Sequence, residues 1–173
     1  MTYKILRALC VFFLLPVFVL AGCGDKPETK DVSADFSSDF TAWYKKMEIK
    51  GHLCSNRQKM LNISIDSPKS LCGLEVSYKS SELHLTRDDM ICSADEAYIP
   101  ECSFPNILKS ILSAVSEGRA VFKSSDKQKN TYDLNTGFGN AVLITDNSGR
   151  LFEAELADKE FKIEFVNLKL NNG

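Results

Sequence analysis

The chain has 173 residues, enough for one domain with a real core, and 44% of them are hydrophobic. Formal net charge is −2. A mildly acidic chain lacks the Lys/Arg stripe that neutralises phosphates, which excludes a nucleic-acid partner, and charge alone does not draw it to anionic lipid.

The N-terminus is read first, as an address. Lys4 and Arg7 precede an uninterrupted apolar run, Ala8 to Leu20. Thirteen residues are too few to span a bilayer, which needs roughly 20. The run fits the apolar region of a secretion signal, and Cys10 inside it is expected to leave with it. It ends in Leu20-Ala21-Gly22-Cys23. Over these first 23 residues the sequence resembles bacterial lipoprotein precursors, through that lipobox. The resemblance implies cleavage after Gly22 and a thioether-linked lipid on Cys23, so residues 1–22 are expected to be the signal peptide. Acyl chains then anchor the chain to membrane, each buried methylene adding about 0.8 kcal/mol. By the same resemblance, Gly24 in place of Asp favours the outer membrane, with the domain in the periplasm. Residues 23–32 read as the lipidated Cys and a polar tether broken by Pro27. Losing Lys4 and Arg7 lowers the basic count from 21 to 19, against 23 acids.

Residues 33–173 read as one globular domain. Four cysteines fall in it: Cys54, Cys72, Cys92 and Cys102, with gaps of 17, 19 and 9 residues. An even count in an oxidising compartment predicts two disulfides, sequential pairing being the least costly of three possible connectivities. A zinc site would need shorter spacings, and neither His52 nor His84 completes one.

Ser33 to about Glu48 reads as a helix, with Phe36, Phe40, Trp43, Tyr44 and Met47 on one face and Gly51 past its end. From His52 to Leu71 the pattern is ambiguous between a short helix and a strand. Leu74–Tyr78 and Leu83–Arg87 alternate and read as a hairpin. Residues 88–103 read as an irregular acidic loop. Ser103 to Gly118 is the clearest helix. Ser103 is placed to cap it, Pro105 suits its first turn and Gly118 offers a left-handed stop. Strands follow at Val121–Lys123, Thr131–Leu134, Ala141–Thr145, Leu151–Leu156 and Phe161–Leu170, with hairpin turns at 146–149 and 157–160. Phe161, Ile163 and Phe165 share one parity and Leu168 and Leu170 the other, which predicts a bulge near Asn167. The expectation is an α+β fold: an antiparallel sheet of about five to seven strands, two main helices packed on it, and two disulfides.

The chemistry-bearing residues point to no catalytic, cofactor or metal site. There is no Gly-x-Ser-x-Gly elbow, and no third group joins the two histidines to a nucleophile. Asp88-Asp89 and Asp95-Glu96 are adjacent acids in a loop, not the separated carboxylates of glycoside hydrolysis. The stretch from Cys92 to Cys102 carries Asp95, Glu96, Tyr98 and Glu101. Closed by a disulfide, it would be a rigid acidic loop with an aromatic anchor, suited to a basic protein partner. The functional expectation is therefore a membrane-anchored periplasmic module that binds a protein, as an inhibitor, immunity or assembly accessory. A lipid or small-ligand carrier is the first alternative, kept open by the phenylalanines, and an envelope hydrolase the second.

Overall fold

The computed structural model describes residues 31–56, 60–79 and 81–171, with the side chain of residue 96 outside the description. Eleven strands form one antiparallel sheet: β1 Phe36–Tyr44, β2 Met47–Ser55, β3 Leu61–Ser67, β4 Glu75–Lys79, β5 Glu82–Arg87, β6 Met90–Asp95, β7 Ala120–Ser125, β8 Lys129–Thr136, β9 Gly139–Asp146, β10 Leu151–Leu156 and β11 Phe161–Leu170. The one α-helix among the described residues, α1, spans Phe104–Ser116 between β6 and β7. The sheet order is β6-β5-β4-β3-β2-β1-β11-β10-β9-β8-β7.

That order has a simple cause. Short turns make each strand pair with the next, so β1–β6 and β7–β11 are two meanders. They join where β1 pairs with β11, in the middle of the sheet. Helix α1 carries the chain from one edge strand to the other. Flat, ten inter-strand gaps would separate those edges by roughly 48 Å. A 13-residue helix is only about 20 Å long. Yet residues from β1–β5, β8–β11 and α1 belong to one buried cluster. The sheet therefore curls around α1, and its concave face and the helix make the core.

Most strands with a buried face alternate, β10 and β11 shifting parity at their register breaks. In β1, Phe36, Ser38, Phe40 and Ala42 point inward, and in β2, Ile49, Gly51, Leu53 and Ser55 do. The other face of the sheet carries Asp39, His52, Lys50 and Glu164 among others, with Trp43, Val142, Phe152 and Val166 exposed between polar side chains.

The predicted first helix is thus wrong: those residues form β1 and the start of β2. Helical spacing arose because two inward positions hold small residues, Ser38 and Ala42, leaving the bulky ones at 36, 40 and 44. Trp43 and Met47 lie on exposed positions instead. Gly51 sits inside β2, where an added Cβ would meet the Ser64 carbonyl oxygen at 2.0 Å. It marks an irregularity in the β2–β3 register, and it ends no helix. The expected five to seven strands become eleven and the two helices become one, because residues 36–67 and 90–95 pair as strands.

The two disulfides are also corrected: Cys54, Cys72, Cys92 and Cys102 are all free thiols. Cys54 stands opposite Asn62 in β3, whereas the loop holding Cys72 is tied to Ile65, whose carbonyl accepts Gly73 N. Three residues of strand are about 10 Å, beyond the roughly 7 Å Cα separation a disulfide bridges. Cys92 lies opposite Leu85 on the edge strand β6. Cys102 is held over the middle of the sheet, its carbonyl accepting the Tyr44 hydroxyl from the end of β1.

The last third matches its expectation closely, β10 and β11 running over the expected residues. The bulge is present. Between Ser37–Lys169 and Asp39–Val166, β11 spends three steps against two, and Asn167 takes φ 57°. Gly149 takes φ 82° in the turn after β9.

Candidate functional site

Helix α1 defines the site, because it is the one α-helix among the described residues and it lies across the concave face. Its apolar stripe, Phe104, Ile107, Leu108, Ile111, Leu112, Ala114 and Val115, is buried. Phe104 anchors the N-terminal end among rings, 5.9 Å from Phe40 and 5.9 Å from Phe161 between centroids. The C-terminal end closes as expected at Gly118, φ 69°. Its N–H donates to Val115 O and that of Arg119 to Ala114 O, the paired bonds of a left-handed helix stop. The N-terminal expectation fails in part. Ser103 occupies the cap position, but its side chain makes no capping bond and its buried Oγ has no partner among the described residues.

Two clefts open beside the helix. The first, about 460 Å³, lies at its C-terminal end and falls within the volume range of small-molecule sites. Residues 31–34 form one wall. Val115, Ala120, Phe122 and Tyr132 supply the apolar surface. Phe122 and Tyr132 meet edge to face at 5.8 Å. Burial pushes the Tyr132 phenol up, against a lowering hydrogen bond with Thr145, so it stays a neutral hydroxyl.

The second cleft, about 640 Å³, runs over the outward, polar stripe of α1: Asn106, Lys109, Ser110 and Ser113. Its rims come from opposite halves of the sheet. Asp95 ends β6, Ile99 and Glu101 belong to the segment after it, and Phe138 to the β8–β9 turn. Hydrogen bonds fix both rims to the helix. Gly137 N donates to Ser110 Oγ at 3.2 Å, and Asn106 Nδ2 donates to Pro100 O at 3.2 Å. Asn106 is itself held by the Tyr78 hydroxyl at 2.6 Å, and Lys109 Nζ lies 4.7 Å from the Tyr78 ring centre.

The expected partner-binding residues are placed as follows. Asp95 and Glu101 line the second cleft. Tyr98 is 84% exposed and points away from the core. The side chain of Glu96 lies outside the described residues, as does the whole of Cys23. The loop is ordered without a disulfide, by the Asn106–Pro100 bond, by Ser103 N donating to Pro100 O, and by Tyr44 on Cys102. Its first half is not a loop but the edge strand β6.

Both histidines sit on the outer face. His52 Nδ1 is 3.0 Å from Asp39 Oδ1. His84 Nδ1 is 2.7 Å from Ser93 Oγ, and its Nε2 is 3.6 Å from Glu82 Oε2. Ser93 faces His84 across the β5–β6 pair and Glu82 lies two residues back on β5, all on the outer face and outside both clefts, and the His–Glu distance exceeds a hydrogen bond. No group of three or more metal-type ligands occurs among the described residues.

The polar stripe of α1 at 106, 109, 110 and 113 follows from the same spacing that gave its apolar stripe and was readable from sequence. Phe122 and Tyr132 were not, since strand pairing alone brings them to the helix end.

No protein-family model matches the chain, and no curated protein matches it. Among solved structures it is similar to a conserved protein of Thermus thermophilus, 9% identical over 80% of this chain and 79% of that one, TM-score 0.48. It is similar to a LolA superfamily protein of Nitrosomonas europaea, 12% identical over 86% and 90%, TM-score 0.42. It is also similar to an outer membrane lipoprotein-sorting protein domain of Vibrio parahaemolyticus, 9% identical over 83% and 88%, TM-score 0.40.

Proposed function

We propose that the mature chain is a membrane-tethered carrier of the bacterial cell envelope that holds the apolar part of an amphiphilic ligand, a lipid or a small molecule, beside α1. The observation that carries this reading is the first cleft. It opens on the concave face at the free end of the one helix that covers it, and Phe122, Tyr132 and Val115 wall it. Aromatic and aliphatic walls contribute through apolar burial, roughly 25 cal/mol per Å². Ser33, Ser116 and Asp31 at the same cleft offer polar contacts to a headgroup. Cys23 would carry the anchor, and the ten-residue stretch 23–32 leads directly into the cleft wall, so bound ligand would sit near the membrane surface. Gly24 after Cys23 favours the outer membrane.

The test is a titration of the processed lipoprotein, in micelles, with an environment-sensitive fluorescent fatty acid. Saturable binding at one site is expected, weakened about tenfold in Ala120→Trp, which fills the cleft. Absence of saturable binding, or equal binding by the variant, would overturn the reading.

A second reading, a module for a basic protein, rests on the segment after β6, where Tyr98 is exposed and Asp95 and Glu101 border the larger cleft. It expects Tyr98→Ala and Asp95→Ala to lower the yield of a stoichiometric basic partner recovered from envelope extract. Unchanged recovery in both would remove it.

A further inference from the structure

We propose that the outer edge of β6 accepts an extended segment of a partner protein as an additional strand, one with an apolar centre and cationic residues at both ends. The sheet has two edges, β6 and β7, and they are built differently. An open edge presents unpaired N–H and C=O groups and invites pairing unless it is blunted. β7 is blunted. Its register with β8 breaks between Phe122 and Ser124, and the extra residue there, Lys123, places its ammonium 3.0 Å from Asp133 Oδ1. β6 carries none of these devices. It pairs with β5 in unbroken register from Met90–Arg87 to Asp95–Glu82, and residues 90–95 contain no Pro, Lys or Arg. Among the described residues no strand pairs with its other side.

The side chains on this edge suit a strand partner on both faces. Ile91 stands opposite Thr86 on the outer face and is 76% exposed. Cys92 and Ala94 share the inner face with Leu85 and Leu83. Added strands gain affinity from main-chain hydrogen bonds and specificity from alternate side chains.

Charge selects the occupant. Asp88 and Asp89 flank one end of β6, and Asp95 and Glu101 the other. Two-fold antiparallel pairing of β6 with a second copy, Met90 against Asp95, would bring the acidic Asp88-Asp89 turn of each copy beside Asp95 of the other. Like charges brought together repel. A segment with Lys or Arg at both ends meets acids at both. Arg87, the nearest cation on β5, is turned away and donates to Ser70 O at 2.9 Å.

The probe is a fluorescein-labelled peptide, Lys-Lys-Val-Thr-Val-Thr-Val-Lys-Lys, added to the processed lipoprotein in micelles and read by anisotropy. Saturable binding is expected. N-methylating one alternate set of its central amides should weaken binding about tenfold or more, and methylating the other set should not, because a single edge is paired. Asp89→Lys with Asp95→Lys, both at the exposed edge, should lose the peptide by a similar factor and gain one with Glu in place of Lys. Ile91→Lys should weaken both, while the fatty-acid titration stays unchanged in all variants. Four results would overturn the proposal: no binding, equal binding of both methylated peptides, indifference to the charge reversal, or a sedimenting dimer that Ile91→Lys dissociates. The last would make a second copy the occupant.

Discussion

Asn167 donates its Nδ2 to Asp39 Oδ2 at 2.9 Å, across the one strand pair that joins the two halves of the sheet. It does so from φ 57°, a left-handed conformation that Asn accepts better than most side chains. The bulge that flips the parity of β11 is therefore held by the side chain at its apex. The opposite carboxylate oxygen, Oδ1, meets His52 Nδ1 at 3.0 Å.

This arrangement makes part of the stability acid-sensitive. The Asn167 bond, and then His52, hold the Asp39 carboxyl below its ordinary 3.8. A depressed folded value favours the native state above the unfolded value and ceases to do so as pH falls through the folded one. The contribution is thus complete at pH 7 and lost below about pH 4. Asp39→Asn should narrow the gap between thermal midpoints at pH 7 and pH 3. An unchanged gap would show that the bond contributes nothing.

Gly51→Ala should be costly although it adds one methyl group. The new Cβ would lie 2.0 Å from the Ser64 carbonyl oxygen and 3.1 Å from Ile65 Cα, and backbone cannot rotate aside. Overpacking of this kind costs about 1–3 kcal/mol. A urea midpoint lowered with unchanged slope is the expected result, and an unchanged midpoint would mean that β3 can shift outward freely.

Where the sequence was legible depended on what filled the inward positions. β11 starts Phe161, Ile163, Phe165 inward, and its period of two was plain. β1 carries the same period, but Ser38 and Ala42 hold two inward positions beneath the helix, so only every fourth residue looked apolar. β6 gave no alternation because an edge strand is exposed on both faces, and Ile91 outside and Cys92 inside are both exposed. In the site, the α1 stripe was local and readable. The meeting of Asp95, Asn106 and Phe138 depends on the curl of the whole sheet, which no local pattern encodes.

Phe104→Ala tests how firmly α1 is seated. Phe104 is 5% exposed and touches the Phe40, Tyr44 and Phe161 rings. Truncating a buried Phe costs about 3–5 kcal/mol. Hydrogen exchange should rise first in residues 104–116 if the helix detaches locally, and uniformly if the core unfolds as a unit. A stability loss under about 1 kcal/mol would mean that α1 is held by its loops rather than by its rings.

The four thiols give the last prediction. Cys72 and Cys92 are exposed, and Cys54 and Cys102 half-buried. Thiol reactivity follows access as well as thiolate fraction. A maleimide added to the native protein without reductant should label Cys72 and Cys92 rapidly, and Cys54 and Cys102 slowly. Mass spectrometry of the peptides reads the order directly. Labelling at all four sites is expected once urea removes the protection. The even cysteine count argued for bridges from compartment alone, whereas pairing also needs Cα atoms within roughly 7 Å. Labelling only after reduction would show that the sheet can bring these residues closer than its register allows, and would require β3 and β6 to pair differently from the order found.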